Sequence, residues 1–347
     1  MLLSTASNAP LANYLESEVF LKAMTVFAFE LYLFMDAGQL VSFTNVLSLV
    51  QIEPFDLWRT FEFFVRTFRR MPKRVREYFN EMERFIIQTL CWQEGSSVVQ
   101  KCKNLTDGRE APDKINKPYE AFFKRLLHFA AIRVSEITLE INICDEVREL
   151  IWGLLQVCLS KESHMLENRN LDQIVICTIY SMCRIHHATL KMNPKFNIPI
   201  EELFKTITNA YAVVNEKQNI SVGKRFDAFH TNSFQVLAQV NLGNGEVGDV
   251  ITFYNVVYLV TMKNYALATR KLATKQRECQ TPLLHRSSYE SLLTPSGAKE
   301  KKGIDNLAPF SNLAAEEQKL RSEQADEQTF IVKKKGVLPS KPKALAN

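Results

Sequence analysis

"LDQIVICTIYSMCRI", residues 171–185, decides the fold. Its apolar residues occupy most of the circumference of a helix, and a run this long exceeds an ordinary strand. A helix that is apolar nearly all round must be enclosed by other elements. The chain therefore has to supply helices that surround it.

They are legible on both sides. Glu16–Met35 and Ser42–Gln51 read as helices. Pro54 opens a third, where its missing N–H costs nothing. Phe55, Trp58, Phe61, Phe64, Val65 and Phe68 then recur at helical spacing. Pro72 starts a fourth through Val75, Phe79, Met82, Ile86 and Leu90 to Trp92. Tyr119–Glu140 carries Phe122, Leu126, Phe129, Val134 and Ile137. Asp145–Ser160 carries Val147, Leu150, Ile151, Leu154 and Cys158, with Asp145 as its expected cap. Stretches near 200–214 and 249–274 complete the wrapping. With 23 phenylalanines and only 11 glycines, the composition fits packed helices better than a glycine-punctuated sheet.

Composition shifts divide the chain. Residues 1–92 form one expected all-α lobe and 117–275 a second. Residues 93–116, with Gly95, Ser96, Ser97, Gly108 and Pro112, read as a linker. Residues 215–246 read as an irregular insertion. From 276 to 347 the sequence is polar and basic with weak periodicity, the mark of a flexible tail. Ser311–Leu320 reads as a segment that folds on a partner. The start lacks a basic region followed by a long apolar core, so no secretory signal is read there. Val250–Met262 is uncharged but too short to span a bilayer. The seven cysteines form no CxxC pair, which predicts reduced thiols in cytosol or nucleus. A net charge of +5 is too mild to argue for nucleic acid.

Short motifs for chemistry fail. "GNGEVG", residues 243–248, matches a dinucleotide fingerprint but lacks the acid about twenty residues on that the ribose requires. Its bland reading is a loop. "CRIHH", residues 183–187, lacks a second ligand pair for zinc and reads as a helix end with exposed imidazoles. Glu81 and Glu83 read as part of a solvated charged face. No nucleophile elbow, P-loop or HExxH is present. No cofactor and no catalysis are expected.

Two constellations remain. Cys177, Tyr180 and Arg184 lie at i, i+3 and i+7 on one stripe. On the helix after Asp249, Ile251, Tyr254, Asn255, Tyr258 and Leu259 fall on neighbouring rows. Were the two helices adjacent, they would frame a groove with an apolar floor, Tyr and Asn walls, and a rim of Arg184, Lys191 and Lys263. An Asn amide can both donate to and accept from an extended peptide, and the cations attract acids. Spacing alone favours Tyr254 and Asn255 bonded within the core, because buried polar groups are usually satisfied internally. In the first lobe, Arg59, Glu62 and Arg66 share a face, followed by the basic run 66–77.

The residues then point to a family. "LDQIVICTIYSMCRI", "FYNVVYLVTMKNYALA", "LIWGLLQVCL" and, upstream, "VLSLVQIEPFDLWRTFEFFV" through "MERFIIQTLCW" make the chain resemble the retinoblastoma-like pocket proteins. The resemblance covers roughly residues 16–92 and 117–275. It implies two cyclin-like helical lobes: a partial A lobe in 1–92, read as beginning inside the A box, and a B lobe in 117–275. It implies a nuclear transcriptional corepressor that regulates the cell cycle. The B-lobe groove of such proteins takes LxCxE sequences of chromatin-modifying corepressors and viral oncoproteins. The resemblance carries this role onto Tyr180, Arg184, Lys191, Ile251, Tyr254, Asn255 and Lys263, with Cys177 as a buried structural cysteine. The cleft between lobes takes acidic segments of E-two-F transcription factors. It is carried onto Arg59, Glu62, Arg66 and Glu83, although Glu77 and Asn80 depart from the family's charges. Thr281 and Thr294, each before Pro, are candidate sites for cyclin-dependent kinases. "KKK" at 333–335 is a candidate nuclear-import patch. Direct sequence-specific DNA binding and membrane association are not expected. The rival reading is a cyclin-like regulatory subunit of a kinase, which shares the lobes; an enzyme with a dispersed site is the other.

Overall fold

The computed structural model describes residues 16–35, 41–67, 71–106, 117–219, 233–243 and 245–279. Among the described residues the architecture is all-α, with one two-stranded hairpin. In the first lobe, α1 (Glu18–Met35), α2 (Phe43–Val50), α3 (Pro54–Thr67) and α4 (Lys73–Gln88) enclose Phe27, Phe61, Phe64 and Phe79. Phe27 of α1 stacks on Phe64 at 4.4 Å and meets Phe61 and Phe79 edge-on at 5.4 and 6.0 Å. Such pairs add about 0.5–1.5 kcal/mol each beyond area burial.

A short 3₁₀ turn, Leu90–Trp92, leads not into a free linker but into α5 (Ser97–Thr106). This corrects the linker expectation for residues 97–106. Ser96 is the reason: its hydroxyl accepts from the Val99 amide at 3.2 Å, as a helix cap does. Val98, Val99 and Cys102 behind it are buried. The polar run read as a loop is a capped helix start.

The second lobe contains α6 (Lys117–Glu140), α7 (Asp145–Lys161), α8 (Leu171–Ile185), the short α9 (His187–Leu190) and α10 (Leu203–Asn219). The fold then continues with α11 (Ser233–Ala238), β1 (Val240–Gly243), β2 (Glu246–Gly248) and α12 (Val250–Phe253). A π turn (Tyr254–Tyr258) joins α12 to α13 (Leu259–Cys279). α8 is the centre: α6, α7, α10, α11 and α13 all lie against it. Asn170 caps it by accepting from the Asp172 amide at 2.7 Å, and Gln173 reaches back to the Asn170 amide at 3.1 Å.

A buried ion cluster fixes how α6 and α10 sit on α8. Arg133 of α6 is 2% exposed and makes two parallel hydrogen bonds to Asp172, both 3.0 Å. It also donates to Glu136 at 3.0 Å and to Asn215 of α10 at 2.6 Å, and lies over the Tyr211 ring. Burial opposes the guanidinium charge, but Asp172 and Glu136 outweigh it and hold the group above the usual arginine range.

The lobes meet along aromatic and polar seams. Phe55 stacks on Tyr119 at 4.4 Å, and Trp58 and Trp92 both meet Phe122. Glu83 of α4 takes a bidentate pair from Arg125 of α6, at 3.0 and 2.6 Å, and a third bond from the Trp58 indole at 3.3 Å. Asn168, left-handed at φ 56°, donates to the Trp92 carbonyl at 2.7 Å and accepts from the Glu94 amide at 2.8 Å.

Other expectations are corrected. Asp145 is the first residue of α7, not its cap; it pairs with Arg148 at 2.5 Å. Within 215–246, α10 extends to Asn219 and a helix and a hairpin follow. "GNGEVG" belongs to that hairpin: Gly243 and Gly245 adopt φ of 101° and 81°, which explains the glycines conformationally. α13 continues to Cys279, past the expected tail boundary. Ser311–Leu320, the 333–335 lysines and the threonines at 281 and 294 lie outside the described residues. Among the described residues, no helix is long and apolar enough to cross a membrane.

Asp172→Ala leaves Arg133 buried without its bidentate partner and is expected to cost about 3–5 kcal/mol by urea unfolding. A loss below about 1 kcal/mol would show that the cluster does not tie α6 to α8. For the lobe seam, a double-mutant cycle of Glu83→Ala and Arg125→Ala is expected to return a coupling of about 1 kcal/mol; simple additivity would remove the pair from the account.

Candidate functional site

The stripe predicted on α8 and the pair predicted after Asp249 do come together. Asp249 starts that helix by accepting from the Thr252 amide at 2.7 Å. Five residues on, Tyr254 packs its ring edge-on against Tyr180 of α8, centroids 4.8 Å apart. Phe204, at the start of α10, meets the other side of Tyr180 at 4.9 Å, again edge-on. Tyr180 is thus clamped between two rings, half-buried, with the Arg184 guanidinium 6.0 Å from its centroid. Cation and ring at that distance attract.

The polar groups divide by exposure. Tyr254 is 3% exposed, whereas its neighbour Asn255 stands in solvent. The expectation of a buried pair bonded within the core therefore fails for the amide. Burial raises the pKa of the Tyr254 hydroxyl, while a hydrogen bond with Ser181 and the charge of Arg184 pull against it. The hydroxyl stays protonated at neutral pH. Ile251 keeps 48% of its surface exposed, and Arg184, Lys191 and Lys263 are exposed cations. Cys177 lies behind the rings at 0% exposure, and burial holds its thiol well above the ordinary cysteine range. It is a packing residue, not a nucleophile.

Tyr258 is not a groove wall. It is fully buried and hydrogen-bonds the Thr178 hydroxyl at 2.8 Å. Its ring stacks on that of Tyr254, centroids 5.8 Å apart, on the buried side of the helix. Phe204 and Ser181 complete the site, and no spacing rule marked either of them.

The first-lobe constellation assembles differently. Glu62 and Arg66 lie on α3, with side chains outside the described residues. Arg59 turns to Asp56 on its own helix at 3.1 Å. It lines a cavity of about 400 Å³ between the lobes, together with Glu53 and Asp56 of one lobe and Lys117 and Tyr119 of the other. Glu83, expected on a solvated face, is 9% exposed and held by Arg125 and Trp58. The expected cleft acid is thus engaged in joining the lobes. The imidazoles of residues 186 and 187 are also not exposed as expected: His186 is 6% exposed, and His187 Nε2 lies 2.9 Å from the Ile198 carbonyl. No group of three metal-ligating side chains occurs among the described residues.

Two arrangements result: the rings of Tyr180, Tyr254 and Phe204 beside an exposed amide and cations, and a charged cavity between the lobes. Comparison with known proteins gives them a context. Residues 3–102 match the Retinoblastoma-associated protein A domain, and residues 119–263 match the B domain. Retinoblastoma-like protein 1 of Rattus norvegicus is 25% identical over 184 residues, covering 48% of this chain and 17% of that protein. Retinoblastoma-related protein 1 of Triticum aestivum is 20% identical over 351 residues, covering 74% and 35%. Retinoblastoma-related protein 3 of Zea mays is 21% identical over 401 residues, covering 86% and 36%. The chain spans about a sixth to a third of the length of these relatives. With both domains matched in order, and with α8 enclosed as the all-round apolar sequence demands, the chain belongs to the retinoblastoma family of pocket proteins.

Proposed function

We propose that this chain is a non-catalytic corepressor scaffold that regulates the cell cycle from the nucleus. Its second lobe binds LxCxE sequences of chromatin-modifying corepressors, and the cavity between lobes receives acidic segments of E-two-F transcription factors. The observation that carries the reading is the Tyr180–Tyr254 ring pair beside the exposed Asn255 and Arg184. The rings and Ile251 supply an apolar floor. The amide is free in geometry to meet an extended backbone, donating and accepting at once. Arg184, Lys191 and Lys263 supply positive charge for the peptide's acid. Cys177, Tyr258 and Ser181 hold the floor in place from behind.

At the cavity, Arg59 and Lys117 are the cations that face an acidic partner, and Glu53 and Asp56 restrict which acids fit. Arg59, Glu62 and Arg66 share one face of α3, so this edge of the cleft is the proposed landing place. Glu83 acts there indirectly, by fixing Trp58 and Arg125. Phosphorylation at Thr281 and Thr294 by cyclin-dependent kinases would add negative charge that competes for these cations.

Calorimetric titration with an LxCxE peptide tests the groove. Arg184→Glu combined with Asn255→Ala is expected to weaken binding by roughly thirty-fold or more, the size of a central contact, and a peptide with Ala for Cys should fail on the unaltered chain. Unchanged affinity in the double variant would remove the groove from the proposal. For the cavity, Arg59→Glu is expected to lower affinity for an acidic E-two-F segment, with a smaller salt dependence than the unaltered chain shows; equal affinity and equal salt dependence would place that segment elsewhere.

A further inference from the structure

One side of α1 buries Phe27 in the first-lobe core, and the opposite side stands in water. Leu21, Thr25, Ala28, Phe29, Tyr32 and Met35 recur along that side at helical spacing, and all are exposed. Leu21 keeps 47% of its surface in water, Phe29 39% and Met35 69%. The Thr25 hydroxyl donates to the Leu21 carbonyl at 2.9 Å, so its polar group is satisfied within the helix. Charge is absent from the strip: Glu18 and Lys22 pair with each other at the start of α1, and Glu30 is buried. Single exposed apolar residues are ordinary, but a continuous uncharged side of a helix marks a surface that something covers.

Its size decides between a free and a tethered occupant. The 18 residues of α1 span about 27 Å, and a side about 10 Å wide presents roughly 270 Å². A stable interface between separate molecules takes about 800 Å² from each partner, so the strip supplies only about a third of what a second copy or another protein needs. A segment of the same chain escapes most of the cost of association, because it is already held nearby. A small apolar strip is enough for it.

The chain supplies such a segment. Residues 1–15, "MLLSTASNAPLANYL", lie outside the described residues and lead directly into α1. They carry no charged side chain and include Leu2, Leu3, Leu11, Tyr14 and Leu15. An uncharged segment suits an uncharged strip, whereas an acidic or basic partner would find nothing there to pair with. Ser17 caps α1 by accepting from the Phe20 amide at 3.3 Å, and the helix starts there. Fifteen residues reach about 50 Å when extended, well beyond the length of α1. The match to the A domain begins at residue 3, so most of the segment belongs to the same domain as α1.

We propose that residues 1–15 return along α1 as a strap, with their leucines on Leu21, Phe29 and Met35. The strap completes the first lobe and holds α1 in place, and with it Phe27, which meets Phe61, Phe64 and Phe79. The inference uses no residue of the peptide groove or of the cavity between lobes, so it stands apart from the proposed function.

Photocrosslinking of the full chain tests it. Benzoylphenylalanine in place of Thr25, or in place of Phe29, is expected to give a monomeric product joined to a residue within 1–15, located by mass spectrometry. The same group in place of Lys124, exposed on α6 of the second lobe, is expected to give none. In a second measurement, Phe29→Gln with Met35→Gln is expected to speed thermolysin cleavage within residues 1–15 by at least about five-fold, with circular dichroism showing that the helices remain. A product joined to a second copy, no product from either position on α1, equal yield from position 124, or equal cleavage of the double variant and the unaltered chain would overturn the proposal.

Discussion

The enclosure of α8 is the constraint on which the second lobe depends. Twelve of its fifteen residues are buried. A helix that is apolar nearly all round has no stable surface position, so its neighbours must close on it from every side. Apolar burial is not directional and would tolerate rotation of those neighbours. Direction comes from the polar exceptions: Asp172 receives Arg133 from α6, and Thr178 receives the Tyr258 hydroxyl from the last helix. Each is a buried group that is costly unless paired, so each pins one neighbour at one register. Tyr180 and Arg184 then emerge where α8 leaves the core, and this places the proposed groove at its C-terminal end.

The same logic joins the lobes. Rings supply the area, from Phe55, Trp58, Trp92, Tyr119 and Phe122, and Glu83 with Arg125 supplies the direction. The seam closes around α5 and the Leu90–Trp92 turn but leaves the cavity lined by Arg59 and Lys117. The ring cluster and the charged cavity thus arise as edges of two packing solutions: one where α8 meets the last helices, the other where the lobes meet.

Much of this was legible in the sequence. Helix existence followed from apolar spacing, and the 171–185 stretch announced its own burial. The groove stripe was legible because Cys177, Tyr180 and Arg184 sit on one face. What was not legible depended on distant partners. Arg133 looks like any arginine in an amphipathic helix until Asp172 and Asn215 arrive from other helices. Glu83 looks solvated until Arg125 does. Phe204 opens a helix that has no sequence link to Tyr180. Tyr258 looks like a second groove tyrosine until Thr178 of α8 takes its hydroxyl inside the core. Residues 97–106 were misread because a serine cap and a loop share the same polar residues.

Native-state hydrogen exchange resolved along the chain tests the enclosure of α8 most directly. The account predicts that amides within residues 174–183 exchange only through global unfolding of the second lobe and share its denaturant dependence. Exchange of those amides by small local openings, at the rates of the outer helices α10 and α13, would contradict it.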